Sequence, residues 1–88
     1  MTAGYAPEAK AAIQRVYDDP SLDQLAERIE EILDLLDTSP GDRRLHKNRM
    51  QEPKLWAVPV HGSSGDFVIL WDLDDAGRPW VRYAGPAF

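Results

Sequence analysis

Apolar residues recur along this chain at two different periods, and the switch between them predicts helices first and strands afterwards. Ala9, Ala12, Ile13, Val16 and Tyr17 fall at helical spacing, which predicts a helix over residues 7–17. Pro7 stands in its first turn, where a missing N–H costs nothing. Asp18-Asp19-Pro20 breaks this helix. A second helix is expected from Ser21, with Gln24 as its capping-box partner. Leu22, Leu25, Ala26, Ile29, Ile32, Leu33 and Leu36 form its apolar stripe, and Asp23, Glu27, Glu30, Glu31, Asp34 and Asp37 occupy the opposite face. Ser39-Pro40-Gly41 ends it.

Residues 42–50 show no clean period and read as a basic loop. Three strands are expected after it. Lys54–Val60 is rich in strand formers, but Pro59 cannot donate to a ladder, so this strand is interrupted or at an edge there. His61-Gly62-Ser63-Ser64-Gly65 reads as a hairpin loop. Asp66–Leu73 contains the continuous apolar run Phe67–Trp71, which suits a strand central in its sheet or covered on both faces. Asp74-Asp75-Ala76-Gly77 is a tight turn. In the third strand, Pro79–Ala84, simple alternation puts Trp80, Arg82 and Ala84 on one face and Val81 and Tyr83 on the other. The leucine stripe of the helical hairpin must be buried, and the sheet is its large apolar partner, so the architecture is two-layered. Residues 1–6 carry no pattern and read as a loose terminus.

Composition refines this picture. The 88 residues suffice for one domain, 1–88, with a thin core and modest stability. The absence of cysteine removes disulfides and cysteine-based zinc sites and fits a reducing cytosol. The N-terminus lacks the basic and apolar regions of a secretory signal, and no apolar run approaches the roughly 18 residues that cross a bilayer. The expected location is the cytoplasm, with no membrane association.

The net charge of −5 argues against broad nucleic-acid binding, but it is unevenly spread. Residues 1–40 hold nine acids and three bases; residues 41–56 hold five bases and two acids. The acidic helix face reads as a solvated surface, or as one that repels nucleic acid or meets a basic partner. The basic segment reads as a solvated loop or as an anion-binding spot.

The Tyr-Ala-Pro-Glu-Ala start of the first helix, the Ile-Leu-Asp-Leu-Leu-Asp-Thr-Ser-Pro end of the second, the basic loop, and three strands with Phe-Val-Ile-Leu-Trp-Asp-Leu in the middle and Val-Arg-Tyr-Ala-Gly last form one pattern. Over nearly its whole length the chain resembles the RelE/ParE superfamily of bacterial type II toxin–antitoxin toxins. That resemblance implies an α+β fold, an N-terminal helical hairpin on a twisted antiparallel sheet of three to four strands. A short N-terminal strand usually precedes the hairpin in the family, and residues 1–6 would have to supply it. It also implies growth inhibition, either by ribosome-dependent cleavage of messenger RNA or by non-catalytic binding of a target such as DNA gyrase. A cognate antitoxin would be the neutralising partner, and the ribosome and message the partners of a nuclease.

A nuclease of this kind works without metal or cofactor and needs a base, an acid and a cationic clamp around one phosphate. His46, Lys47, Arg49, Arg82 and Tyr83 are the candidates for catalytic roles, and Arg43, Arg44, Arg78 and His61 for holding RNA. The pattern also departs from the family's. Its arginine early in the central strand aligns with Phe67-Val68, and the group expected after the final-strand glycine aligns with Pro86-Ala87-Phe88. His46 and His61 belong to no metal-ligand motif, and Gly62–Gly65 opens no helix, so neither a metal site nor a phosphate cradle is expected. Trp56, Trp71 and Trp80 sit on three successive strands. They read as core, or, where two of them share an uncovered face, as a partner-binding patch. The alternative to a toxin is a catalytically inert interaction module that binds a protein through this sheet.

Overall fold

The structure, a computed structural model, describes residues 3–46, 48–49, 55–62 and 65–86. Its elements run β1 (Gly4–Tyr5), α1 (Pro7–Tyr17), α2 (Asp23–Thr38), β2 (Asn48–Arg49), β3 (Trp56–Gly62), β4 (Gly65–Leu73) and β5 (Pro79–Pro86). The five strands form one sheet in the order β1-β5-β4-β3-β2. The α+β class is as expected, but the sheet is mixed, not purely antiparallel, because β1 pairs with β5 in parallel. No helix among the described residues is long and apolar enough to cross a membrane.

α1 has the expected bounds, with Pro7 in its first turn and Ala9, Ile13 and Val16 buried. The start of the second helix differs from expectation. Asp19, not Ser21, is the capping residue, and its Oδ1 accepts from the Ser21 amide (3.0 Å) and from the Ser21 hydroxyl (2.7 Å). Ser21 lies inside a 3-10 turn capped by Asp19, and α2 carries no side-chain cap, so Ser21 does not form the capping box with Gln24. A single 3-10 turn, Pro20–Leu22, then leads into α2. α2 buries Leu25, Ile29 and Leu36, while its acidic face is largely exposed.

The segment read as a basic loop has structure of its own. Asp42 caps a 3-10 turn over Arg43–Leu45, and β2 follows. Leu45 is fully buried in the main core and fixes this turn to the sheet. β4 is the central strand, as its apolar run predicted. β3 pairs with β2 only at Trp56 and Ala57. Pro59 therefore lies where the outer edge of β3 has no strand partner among the described residues, a place that tolerates proline. His61, Gly62 and Gly65 belong to strands, so only residues 63–64 connect β3 to β4, and these lie outside the described residues.

The β4–β5 turn is built by Asp74. Its Oδ1 accepts from the amides of Ala76 (3.0 Å) and Arg78 (2.8 Å), and Gly77 takes a φ of +80° that a residue with a Cβ would resist. Further on, the ladder slips between Leu70 and Trp71: Trp71 pairs with Val81, but Leu70 pairs with Tyr83. Arg82 is the extra residue of a bulge. The bulge overturns simple alternation on β5, because Val81 and Ala84 both enter the main core while Tyr83 packs on the other face.

The main core lies between the helices and one face of the sheet, around Ile29, Leu36, Ile69, Trp71 and Val81. Each such side chain contributes about 1.5–3 kcal/mol by leaving water. A smaller cluster of Leu55, Val68 and Leu70, with Ala57 and Tyr83 against it, lies on the opposite face. Residues 3–5 are tied down, against the expectation of a loose terminus: the Ala3 amide donates to Asp37 on α2 (2.6 Å), and Tyr5 packs against the main core. Burial, and secondarily the charge of Asp37, pushes the Tyr5 hydroxyl up to about 12.

Candidate functional site

Paired residues in a sheet share a face, and neighbours along a strand alternate. Trp56, Trp71 and Val81 stand in one row across β3, β4 and β5, facing the helices. Asp72 and Trp80 stand one step along, facing away from them. The three tryptophans therefore do not form a shared exposed patch. Trp71 is fully buried, its indole N–H donating to the Leu45 carbonyl (3.1 Å), and it is core. Trp56 packs against it with ring centres 4.9 Å apart. Trp80 alone of the three lies on the face that carries no helix among the described residues.

The candidates of the basic segment gather on the helix side. The His46 ring lies 4.7 Å from that of Trp56 and 5.3 Å from that of Trp71. Its Nε2 is 2.8 Å from the Pro40 carbonyl. A carbonyl only accepts, so Nε2 carries the hydrogen in this contact. His46 thereby serves as an anchor for the segment after α2. Arg44 makes a two-pronged pair with Asp42, through Nε to Oδ1 and Nη2 to Oδ2, both 3.0 Å. The Arg44 hydrogen bonds hold the Asp42 carboxyl down at about 2. Arg43 is exposed on the same turn. Arg49 lies on β2 opposite Trp56, its side chain outside the described residues, as is Lys47 altogether.

A second group lies on the other face. The Arg78 guanidinium stands 4.9 Å from the centre of the Trp80 ring, and that of Arg82 stands 5.6 Å from it. Each arginine has a carboxylate: Arg82 Nε donates to Asp72 Oδ1 (2.6 Å), and Arg78 Nε lies 3.6 Å from Asp74 Oδ2. Trp80 is half-buried because it lies across Gly4 of β1, where any Cβ would collide with the indole. Tyr83 lies along its own strand over Gly85, and its hydroxyl donates to the Pro86 carbonyl (3.2 Å). His61 stands near the far end of β3, exposed, with Nδ1 3.1 Å from Asp66.

The structure thus divides the predicted catalytic set. His46 is on the helix side, while Arg82 and Tyr83 are at β5 and reach over the opposite face, so they do not converge on one phosphate. The sequence reading missed the carboxylates that hold the arginines. One signal for them existed: a tight Asp74–Gly77 turn pairs Asp72 with Trp80, which brings Asp72 within diagonal reach of Arg82. Among the described residues, no group of three or more His, Asp or Glu side chains could hold a metal ion.

What this face can do is bind. It presents a part-exposed indole, the Arg82 guanidinium hydrogen-bonded to Asp72, the Arg78 guanidinium near Asp74, and the apolar surface of Ala57 and Tyr83. Tryptophan, tyrosine and arginine are the residues that dominate binding energy at protein interfaces. The chain matches no protein-family model, no curated protein and no solved structure.

Proposed function

We propose that this chain is a RelE/ParE-like toxin that restrains growth by gripping a protein target with the helix-free face of its sheet, and that a cognate antitoxin relieves it. The observation that carries this reading is the Arg78–Trp80–Arg82 array. Arg82 is hydrogen-bonded to Asp72 beside the indole, and Arg78 stands within ion-pair distance of Asp74, an arrangement partly pre-ordered for contact with another surface. Two further features support it. The chain has a short strand, Gly4–Tyr5, ahead of its helical hairpin, as is usual in the family it resembles. His46 is anchored on the opposite side from Arg82 and Tyr83, which favours target binding over message cleavage.

Expression in a bacterial host, with and without the neighbouring gene, tests the proposal. Arrest relieved by the neighbour, with ribosome-bound message intact by primer extension, is the expected result. Cleaved message would instead identify a nuclease. Absence of arrest at every expression level would leave the same face to an inert interaction module and end the toxin reading.

A further inference from the structure

We propose that the outer side of the helical hairpin, centred on Tyr17, docks an arginine-bearing segment of a basic partner protein. Tyr17 is the last residue of α1 and one of two large apolar side chains left exposed among the described residues, at 41%. It stands between two depressions. On one side is a cleft of ≈ 190 Å³ between α1 and α2, with Tyr5, Ile13 and Leu33 in its walls. On the other is a depression of ≈ 350 Å³ lined by Asp23, Glu27 and Glu30 of α2. An aromatic ring placed between an apolar cleft and carboxylates gives a guanidinium both a face to stack on and acceptors to pair with. Tyrosine in such a place is a common anchor of protein contacts.

The charge of the occupant follows from α2. Asp23–Glu27, Glu27–Glu31 and Glu30–Asp34 are like-charged pairs four residues apart, a spacing that costs the helix stability. None of these five carboxylates has an ion-pair partner among the described residues. Arg28, the one base of α2, lies about 100° around the helix from Glu27. Lys10, which reaches the apolar cleft, stands about two turns before Tyr17 on α1. Burial, and then the charges of Glu30 and Asp34, push the Tyr17 hydroxyl above its usual range, so these carboxylates stand close to the ring. A helix that keeps such repulsion without a compensating pair breaks a local rule, and functional surfaces are where that is expected.

The shape of the charge selects a chain over a single ion. The row from Asp23 to Asp34 runs about 16 Å along α2 at ~1.5 Å per residue. No group of three or more ligating side chains could hold a metal ion among the described residues. Carboxylates four residues apart on a helix are spaced by about 6 Å. Alternate side chains of an extended peptide repeat at about 6.6 Å, a close match. A second copy of this chain supplies less, because on its basic turn Arg44 is already paired with Asp42 (3.0 Å). This proposal does not depend on the toxin reading.

The test is a titration of the full chain with a blocked peptide of alternating arginine and alanine, followed through the amide resonances of α2 and the ring resonances of Tyr17. Saturable shifts at both are expected, with the lysine–alanine counterpart about threefold weaker. Tyr17→Ala leaves the charge unchanged and weakens binding about fivefold. Should that variant fold poorly, Glu27→Gln combined with Glu30→Gln gives a second readout, with binding about tenfold weaker. Five outcomes would overturn the proposal: no saturable shift at about 1 mM peptide, equal binding of the lysine peptide, undiminished binding to a folded Tyr17→Ala variant, undiminished binding to the double variant, or shifts that follow protein concentration alone.

Discussion

Trp71 and Trp80 stand on neighbouring strands one ladder step apart, and they point to opposite faces of the sheet. Trp71 is fully buried, hydrogen-bonded to Leu45 and packed against Trp56. Trp80 meets two guanidinium groups and the backbone of Gly4, with part of its ring in solvent. The residue type is the same, so the position of the helices alone separates a core residue from a surface one. The helix face carries the main core, while the other face buries the smaller Leu55, Val68 and Leu70 cluster and leaves Trp80 part-exposed.

The largest expected break in this comparison is Trp71→Ala. It opens a cavity and removes the donor to the Leu45 carbonyl, and should cost about 3–5 kcal/mol by denaturant unfolding. Trp80→Ala should cost about 1 kcal/mol. Similar losses at the two positions would contradict the assignment of faces.

A smaller effect is expected at the seat of Trp80. Gly4→Val drives a side chain into the indole and should cost about 1–3 kcal/mol, with faster hydrogen exchange at the Ala6 amide as β1 leaves β5. Smaller still is Arg82→Ala. Arg82 and Asp72 form a part-exposed pair, so stability should fall by less than about 1 kcal/mol while target binding falls further.

The helix side also carries a pH signature. Tyr5 ionises at about 12 when folded and near 10 when unfolded. Between these values the unfolded chain has released the proton and the folded chain still holds it. Stability is therefore fully present below pH 10 and declines as pH rises toward 12. Thermal melts across that range, compared with Tyr5→Phe, should show the decline reduced in the variant.

The sequence made the long periodic elements legible. α1 and the central position of β4 follow from the spacing of Ile13 and Val16 and from the run Phe67–Trp71. The elements that escaped are those whose cause is distant. β1 has two residues, and its identity as a strand depends on an edge of β5 at the other end of the chain. β2 likewise exists only through its pairing with β3. The bulge at Arg82 shifts the faces of β5 by one residue, which no local pattern announces. The basic residues were visible as a charge cluster, but their roles were set by Asp42, Asp72 and Asp74, whose reach depends on turn and register.

If the face opposite the helices works by contact, Trp80 with its two arginines is the part-exposed anchor of that contact. The most direct measurement compares growth arrest by the wild-type chain with arrest by Trp80→Ala, at equal soluble expression and with both proteins folded by circular dichroism. The expected result is arrest by the wild type, with message intact, and no arrest by the variant. Full arrest by a folded Trp80→Ala protein would contradict it.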